Sequence, residues 1–200
     1  MRRAGPCAPS ARTGRSRPGR AAGATLPSVT TLDYAAWIAS LPRVLAGAAA
    51  LIRDTSGRVL IVEPNYRDTW TLPGGGVESA DGESPRQGAR RETAEEVGLD
   101  IGPGGLLVVD WVPGTDERPP LVSFLYDGGV LPDERFAEIR LQEEELLSWR
   151  LVERAELPSY LSASLTRRVT AALGVLDGGG GAVELEDGFP APRVEDGTTP

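Results

Sequence analysis

The chain has 200 residues, a formal charge of -8 at pH 7 and 40% hydrophobic residues. That is enough for one domain with tails and a core of its own. The acidic excess argues against a nucleic-acid backbone as partner and is compatible with a cation-dependent enzyme. No apolar run reaches the 18 residues of a membrane span. The one cysteine, Cys7, excludes an internal disulfide and fits a reducing, cytoplasmic compartment. There is no histidine in the chain, and little outside the carboxylate cluster described below could do chemistry.

Residues 1–31 read as a disordered tail rich in Arg, Pro and Gly. No acid precedes Asp33, whereas Arg2, Arg3, Arg12, Arg15, Arg17 and Arg20 are all basic. The segment lacks the apolar stretch of a secretory signal and has too little apolar surface to order itself. The domain is expected over residues 32–176. It opens with a lead-in helix capped near Asp33 and stopped by Pro42. Strands are expected over Arg43 to Arg53 and Val59 to Glu63, around the turn at Asp54 to Gly57.

Leu106 to Val112 and Leu121 to Asp127 are strand-like, joined by a turn-rich loop from Pro113 to Pro120. Ile139 to Leu141 and Ser148 to Val152 read as short strands. Leu161, Leu165, Val169, Ala172 and Leu176 repeat at helical spacing, which predicts an amphipathic helix over 161–176. Residues 177–200 read as a flexible, Gly-rich acidic tail.

The most informative stretch lies between the two strand pairs. Leu72-Pro-Gly-Gly-Gly-Val-Glu78 is a glycine-rich loop, and Ser84 begins a helix. Ser84 suits an N-cap, Pro85 the first helical position and Gln87 a capping box, while Gly98 is a natural stop. The helix should span Pro85 to Val97. Glu92, Glu95 and Glu96 then share one face, three and four residues apart. Like charges at that spacing repel, and they lie at the negative end of the helix dipole. Stability alone does not select this arrangement, whereas a bound cation would relieve both penalties.

These residues resemble the Nudix box of the Nudix hydrolases. Glu83, Arg91, Glu92, Glu95, Glu96, Gly98 and Leu99 match the family pattern in register. Thr93 replaces the usual aliphatic residue, and the loop from Gly75 to Glu83 is two residues longer than the pattern. The extra pair lies in Ser79-Ala80-Asp81-Gly82, where it should lengthen a turn and leave the helix undisturbed. Gly57 to Glu63, Trp70 to Pro73 and Trp149 to Val152 with Glu156-Leu157 extend the similarity over about residues 33–176. The resemblance implies an α/β fold, a three-layer α/β/α sandwich around a mixed sheet.

It also implies a pyrophosphatase acting on a nucleoside diphosphate linked to another group, such as a nucleoside triphosphate or ADP-ribose, with Mg²⁺ or Mn²⁺ as cofactor. On that analogy Glu92 is a metal ligand or the base, oriented by Arg91. Glu95 and Glu96 bind metal, and the carbonyl of Gly75 or Gly76 completes the set. Glu83 braces the loop. A further acid from outside the box is sought in Glu143-Glu144-Glu145, with Glu145 chosen. Arg91 and Glu95 are also spaced for an ordinary helix salt bridge.

Trp70, Phe124, Tyr126 and Tyr66 are candidates for contacts to a nucleobase, since they offer flat apolar surfaces. Pro113-Gly114 lies about where ADP-ribose-specific members carry a proline. The expected partner is a nucleotide or nucleotide-sugar, with no membrane and no nucleic acid, and the oligomeric state is open, a homodimer included. A non-catalytic Nudix module that senses a nucleotide and regulates a partner is the alternative. The intact Arg91-Glu92-x-x-Glu95-Glu96 favours the enzyme.

Overall fold

A computed structural model describes residues 33–192. The expected N-terminal tail, residues 1–31, lies outside the described residues. The described residues fall into two units, 33–41 and 42–192. In the first, helix α1 (Tyr34–Ser40) starts at Asp33, whose side chain makes no capping hydrogen bond. Among the described residues no helix is long and apolar enough to cross a membrane.

The second unit is built on one mixed sheet. Its strands are β1 (Leu45–Asp54), β2 (Val59–Pro64), β3 (Gly74–Gly76), β4 (Leu106–Val112), β5 (Leu121–Leu131), β6 (Leu146–Val152), β7 (Val183–Glu186) and β8 (Phe189–Pro190). The order across the sheet is β6-β2-β1-β5-β4-β7-β8, with β3 pairing β1 off this path. β1 runs parallel to β5 and antiparallel to β2 and β3. As a central strand β1 is buried on both faces, and its alternation separates two cores. Leu51 packs with Val59, Ile61 and Leu125 beneath helix α4 (Ala163–Gly178), through Val169, Ala172 and Leu173. Ala50 and Ile52 point the other way, with Leu60, Val62 and Val97 of helix α2 (Pro85–Val97). Each fully buried aliphatic side chain contributes roughly 1.5–3 kcal/mol of transfer free energy. The outcome is the expected sandwich, a mixed sheet between helices.

α2 has the expected bounds, and both halves of the Ser84–Gln87 capping box are formed. The inserted loop residues make an exposed 3-10 turn, Ser79–Asp81, ended by Gly82 at φ 80°. The helix is unaffected by them. Thr93, the departure from the aliphatic pattern, is fully buried and gives its hydroxyl hydrogen to the Ala89 carbonyl at 2.7 Å.

Two expectations differ from the structure. Ile139 to Leu141 is not a strand. Its backbone closes over the end of α2, with Arg140 N–H donating to the Val97 carbonyl and Gln142 N–H to that of Glu96. Ile139 is buried there, and a short helix α3 (Asp133–Phe136) precedes it. Within the expected flexible segment from Asp177, the described part continues α4 to Gly178 and then adds β7 and β8. β7 pairs in parallel with β4, and the alternation of Val183 and Leu185 against the α4 core supplies the reason. The surrounding glycines hide so short a strand from pattern reading.

Candidate functional site

β3 and α2 hold the site between them. Gly74 has φ 149°, and a side chain there would strike the backbone of Ala48 and Ala49. The glycine loop can therefore lie flat against β1. Its next residue, Gly75, meets the Glu92 carboxylate, whose oxygens stand 2.5 and 2.7 Å from where a Cβ would fall. Gly74 N–H donates to Glu96 Oε2 at 2.8 Å.

Arg91 ties loop to helix. Its Nε and Nη2 donate to Glu83 at 2.9 and 3.1 Å, Nη1 to Glu95 at 2.9 Å, and Nη2 to the Gly76 carbonyl at 2.9 Å. Nη1 also stands 3.0 Å from Glu92 Oε1. Glu83 in turn accepts from Glu78 N–H at 2.8 Å, and the Arg91 guanidinium holds its pKa low. Glu83 thus braces the loop, as its placement in the motif implied. Of the two glycines left open by the sequence, Gly76 has its carbonyl engaged by Arg91, while Gly75 faces Glu92.

The electrostatics single out two of the three helix carboxylates. Burial pushes Glu96 up to about 7, with Glu92 and Glu145 adding to the effect and Gly74 N–H and Arg67 opposing it. Burial also raises Glu92, aided by Glu95 and Glu145 and opposed by Arg91. Of Glu143, Glu144 and Glu145, Glu145 is thus the acid whose charge reaches both. Glu95 is half exposed and held by Arg91.

Among the described residues no three acidic, histidine or cysteine side chains converge as a ready-made metal cage. Each box carboxylate is instead occupied by a protein donor. The donor chemistry nevertheless fits a hard divalent cation, which takes carboxylate and carbonyl oxygens and, if Mg²⁺, keeps several waters. Two acids that resist ionisation beside a backbone with no side chain are suited to receiving such a charge.

A cleft of about 700 Å³ adjoins the box on the α4 face of the sheet, and Gly74–Gly76 form part of its lining. Trp70 and Tyr66 line it, so the structure brings these two candidates to the glycine loop. Trp70 is set edge-on to Tyr160 at 5.6 Å, with Arg150 over its ring. Phe124 and Tyr126 do not line the cleft. They project from the opposite face of β5 and pack with Ala48, Ala89 and Val77 under α2, because the period-two pleat that sends Leu125 to the α4 side sends its neighbours away. Arg86 covers the Tyr126 ring at 4.7 Å. Arg67 was missed by sequence reasoning. It lines the cleft, and its charge acts on Glu96, yet a lone arginine in a turn carries no signal of its own.

A mixed sheet between helices, with a braced glutamate helix beside a glycine loop and cleft, is the arrangement of a Nudix pyrophosphohydrolase. The chain belongs to the NUDIX domain family, whose model matches residues 44–173. No curated protein sequence matches it significantly. Solved structures share the fold. The NUDIX domain of Shewanella oneidensis NrtR, complexed with ADP ribose, has 18% identity and a TM-score of 0.58, covering 72% of this chain and 99% of that one. A Caenorhabditis elegans Ap4A hydrolase binary complex has 22% identity and a TM-score of 0.54, covering 68% and 99%. A UDP-X diphosphatase has 21% identity and a TM-score of 0.58, covering 73% and 68%.

Proposed function

We propose that this protein hydrolyses a pyrophosphate bond in a nucleoside diphosphate linked to a further group, such as a nucleoside triphosphate or ADP-ribose, and requires Mg²⁺ or Mn²⁺. The observation that carries this is the pair Glu92 and Glu96, held at Gly75 and Gly74 beside the cleft and made reluctant to ionise by burial. Glu92, Glu96 and the Gly75 carbonyl would hold the cation, with Glu95 joining on release from Arg91. When bound, the ion neutralises phosphate oxygens and acidifies water.

The chain's own groups do the rest. Arg91 fixes the angle between loop and helix and so the position of Glu92. Glu145, whose charge acts on Glu92 and Glu96 from outside the helix, would accept a proton from the attacking water. Arg67 offers a guanidinium to phosphate oxygens at the box end of the cleft. Trp70 supplies an apolar wall. The single cysteine supports a reducing, cytoplasmic setting.

The test is a panel of nucleoside triphosphates, dinucleoside polyphosphates and nucleoside diphosphate sugars, with Mg²⁺ or Mn²⁺ and phosphate detection. Turnover that stops with chelator and returns with metal is the expected result. Tight nucleotide binding without turnover would favour the sensing reading instead.

A further inference from the structure

Gly47 is a glycine that the fold does not require. It lies within β1, the central strand, where glycine costs stability relative to alanine. Its φ is not in the left-handed region. A Cβ there would meet Leu121 Cδ1 at 3.4 Å and the Gly75 carbonyl oxygen at 3.5 Å, which are ordinary contact distances. At Gly74, by contrast, a Cβ would stand 2.4 Å from the Ala48 carbonyl oxygen. A strand glycine that neither φ nor a neighbouring backbone demands marks a place where a ligand comes close. The location agrees, because Gly47 lines the cleft and is only half-buried although its strand is central.

The next strand supplies a second observation. Ser123 on β5 is the register partner of Gly47 and lines the same cleft. The pleat that turns Leu125 toward α4 turns Ser123 and Leu121 the same way. Ser123 is 8% exposed. Among the described residues its hydroxyl has no hydrogen-bond partner, yet it is not sealed from solvent as the unpartnered hydroxyls of Ser164 and Thr166 are. A hydroxyl can both donate and accept, as a sugar hydroxyl can. Leu121 and Val112 add apolar lining beside it. Arg168, also in the lining, is taken up by the buried Asp110 at 2.7 Å. The floor at Gly47 and Ser123 is thus flat, partly apolar and furnished with one free hydroxyl, which suits a sugar ring better than a phosphate. Ser123 stands two strand spacings, roughly 10 Å, from the glycine loop.

On the reading that the substrate is a nucleotide, we propose that Gly47 and Ser123 are specificity-determining residues that seat its sugar. The ring lies over Gly47 beside the Gly75 carbonyl, Ser123 Oγ bonds a sugar hydroxyl, and the phosphates lie toward Arg67 and Glu92.

The experiment is calorimetric titration of the parent, Gly47→Ala and Ser123→Ala with ADP, 2′-deoxy-ADP, 3′-deoxy-ADP and inorganic pyrophosphate in Mg²⁺, beside thermal melts. Gly47→Ala should hold or raise the melting temperature, because alanine fits the strand. It should weaken ADP binding about tenfold by filling space that the sugar uses, and leave pyrophosphate binding unchanged. Ser123→Ala should weaken ADP binding about fivefold, as expected for one neutral hydrogen bond, again without effect on pyrophosphate. The parent should bind one deoxy analogue more weakly than ADP, and which one identifies the hydroxyl. That difference should vanish in Ser123→Ala, which also decides the matter if Gly47→Ala folds poorly.

Parental ADP affinity in both variants would overturn the proposal. Equal losses for ADP and pyrophosphate would do so too, because they would put phosphate on this floor. A parent that binds pyrophosphate as tightly as ADP, or ADP and both deoxy analogues alike, would also count against it, since the sugar would then add nothing. A parent that shows the expected affinities but hydrolyses nothing in the panel would remove the enzymatic reading and leave this one standing. Hydrolysis by a parent whose two variants keep its ADP affinity would do the reverse.

Discussion

The carboxylate of Glu92 occupies the space that a side chain on Gly75 would fill, 2.5 Å from the position of its Cβ. Gly75 is thus required for close approach to an acid, whereas Gly74 is required by its φ of 149° and by the backbone of β1. The two glycines should separate on substitution. Gly75→Ala is expected to fold with a melting temperature near the parent's, because the far end of Glu92 can swing aside. Its turnover should fall about a hundredfold, since displacement of a catalytic group by about 1 Å costs on that order. Gly74→Ala should lose stability as well as activity. Thermal melts beside steady-state rates decide this, and a fully active Gly75→Ala would detach Glu92 from the chemistry.

Glu92→Gln should reduce turnover on the order of a hundredfold or more. Its stability without metal should hold or rise, because burial already penalises the Glu92 charge. Glu83→Gln should cost less activity but more stability, since it loosens the two bonds from Arg91 and the one from Glu78. Parental rates in Glu92→Gln, or losses explained by unfolding alone, would count against its role.

What was legible in the sequence had local causes. Ser84, Pro85, Gln87 and Gly98 set both ends of α2 without help from tertiary structure, so its bounds and the shared face of Glu92, Glu95 and Glu96 could be read directly. The facing of Phe124 and Tyr126 could not, because a strand pattern gives alternation without saying which side meets the cleft. Arg67 was invisible for a related reason. It is an ordinary turn residue until the fold sets it in the cleft beside Glu96. Ile139 to Leu141 shows the converse, a short apolar run that reads as a strand yet serves to cover the end of a helix.

Arg168→Met should destabilise the protein by about 3 kcal/mol or more. It leaves Asp110, wholly inaccessible on β4, with only the Gly188 N–H in place of its ion pair. For a domain of this size that is a fall in melting temperature on the order of 10 °C. Arg168→Met combined with Asp110→Leu should recover part of the loss, because the uncompensated charge goes too. Urea unfolding of the single and double variants measures it, and an additive double variant would show that the pair is not coupled.

Metal and pH should act on stability in opposite directions. Burial holds the Glu96 pKa near 7 against an unperturbed 4.5. The folded state therefore binds that proton more tightly than the unfolded chain. The associated stability is fully present below pH 4.5, and it is lost as the pH rises through 7. The loss is at most about 3 kcal/mol on the linkage of 1.36 kcal/mol per unit. Glu92 is shifted in the same direction, and no histidine titrates in this window. In chelator the melting temperature should fall from pH 5 to pH 8. Mg²⁺ binds the ionised carboxylates, so its stabilising effect should be small at pH 5 and grow toward pH 8. Glu96→Gln should flatten the chelator profile and shrink the gain from metal. A parent whose melting temperature responds equally to Mg²⁺ at both ends of the range would mean that Glu96 and Glu92 are not where the cation sits.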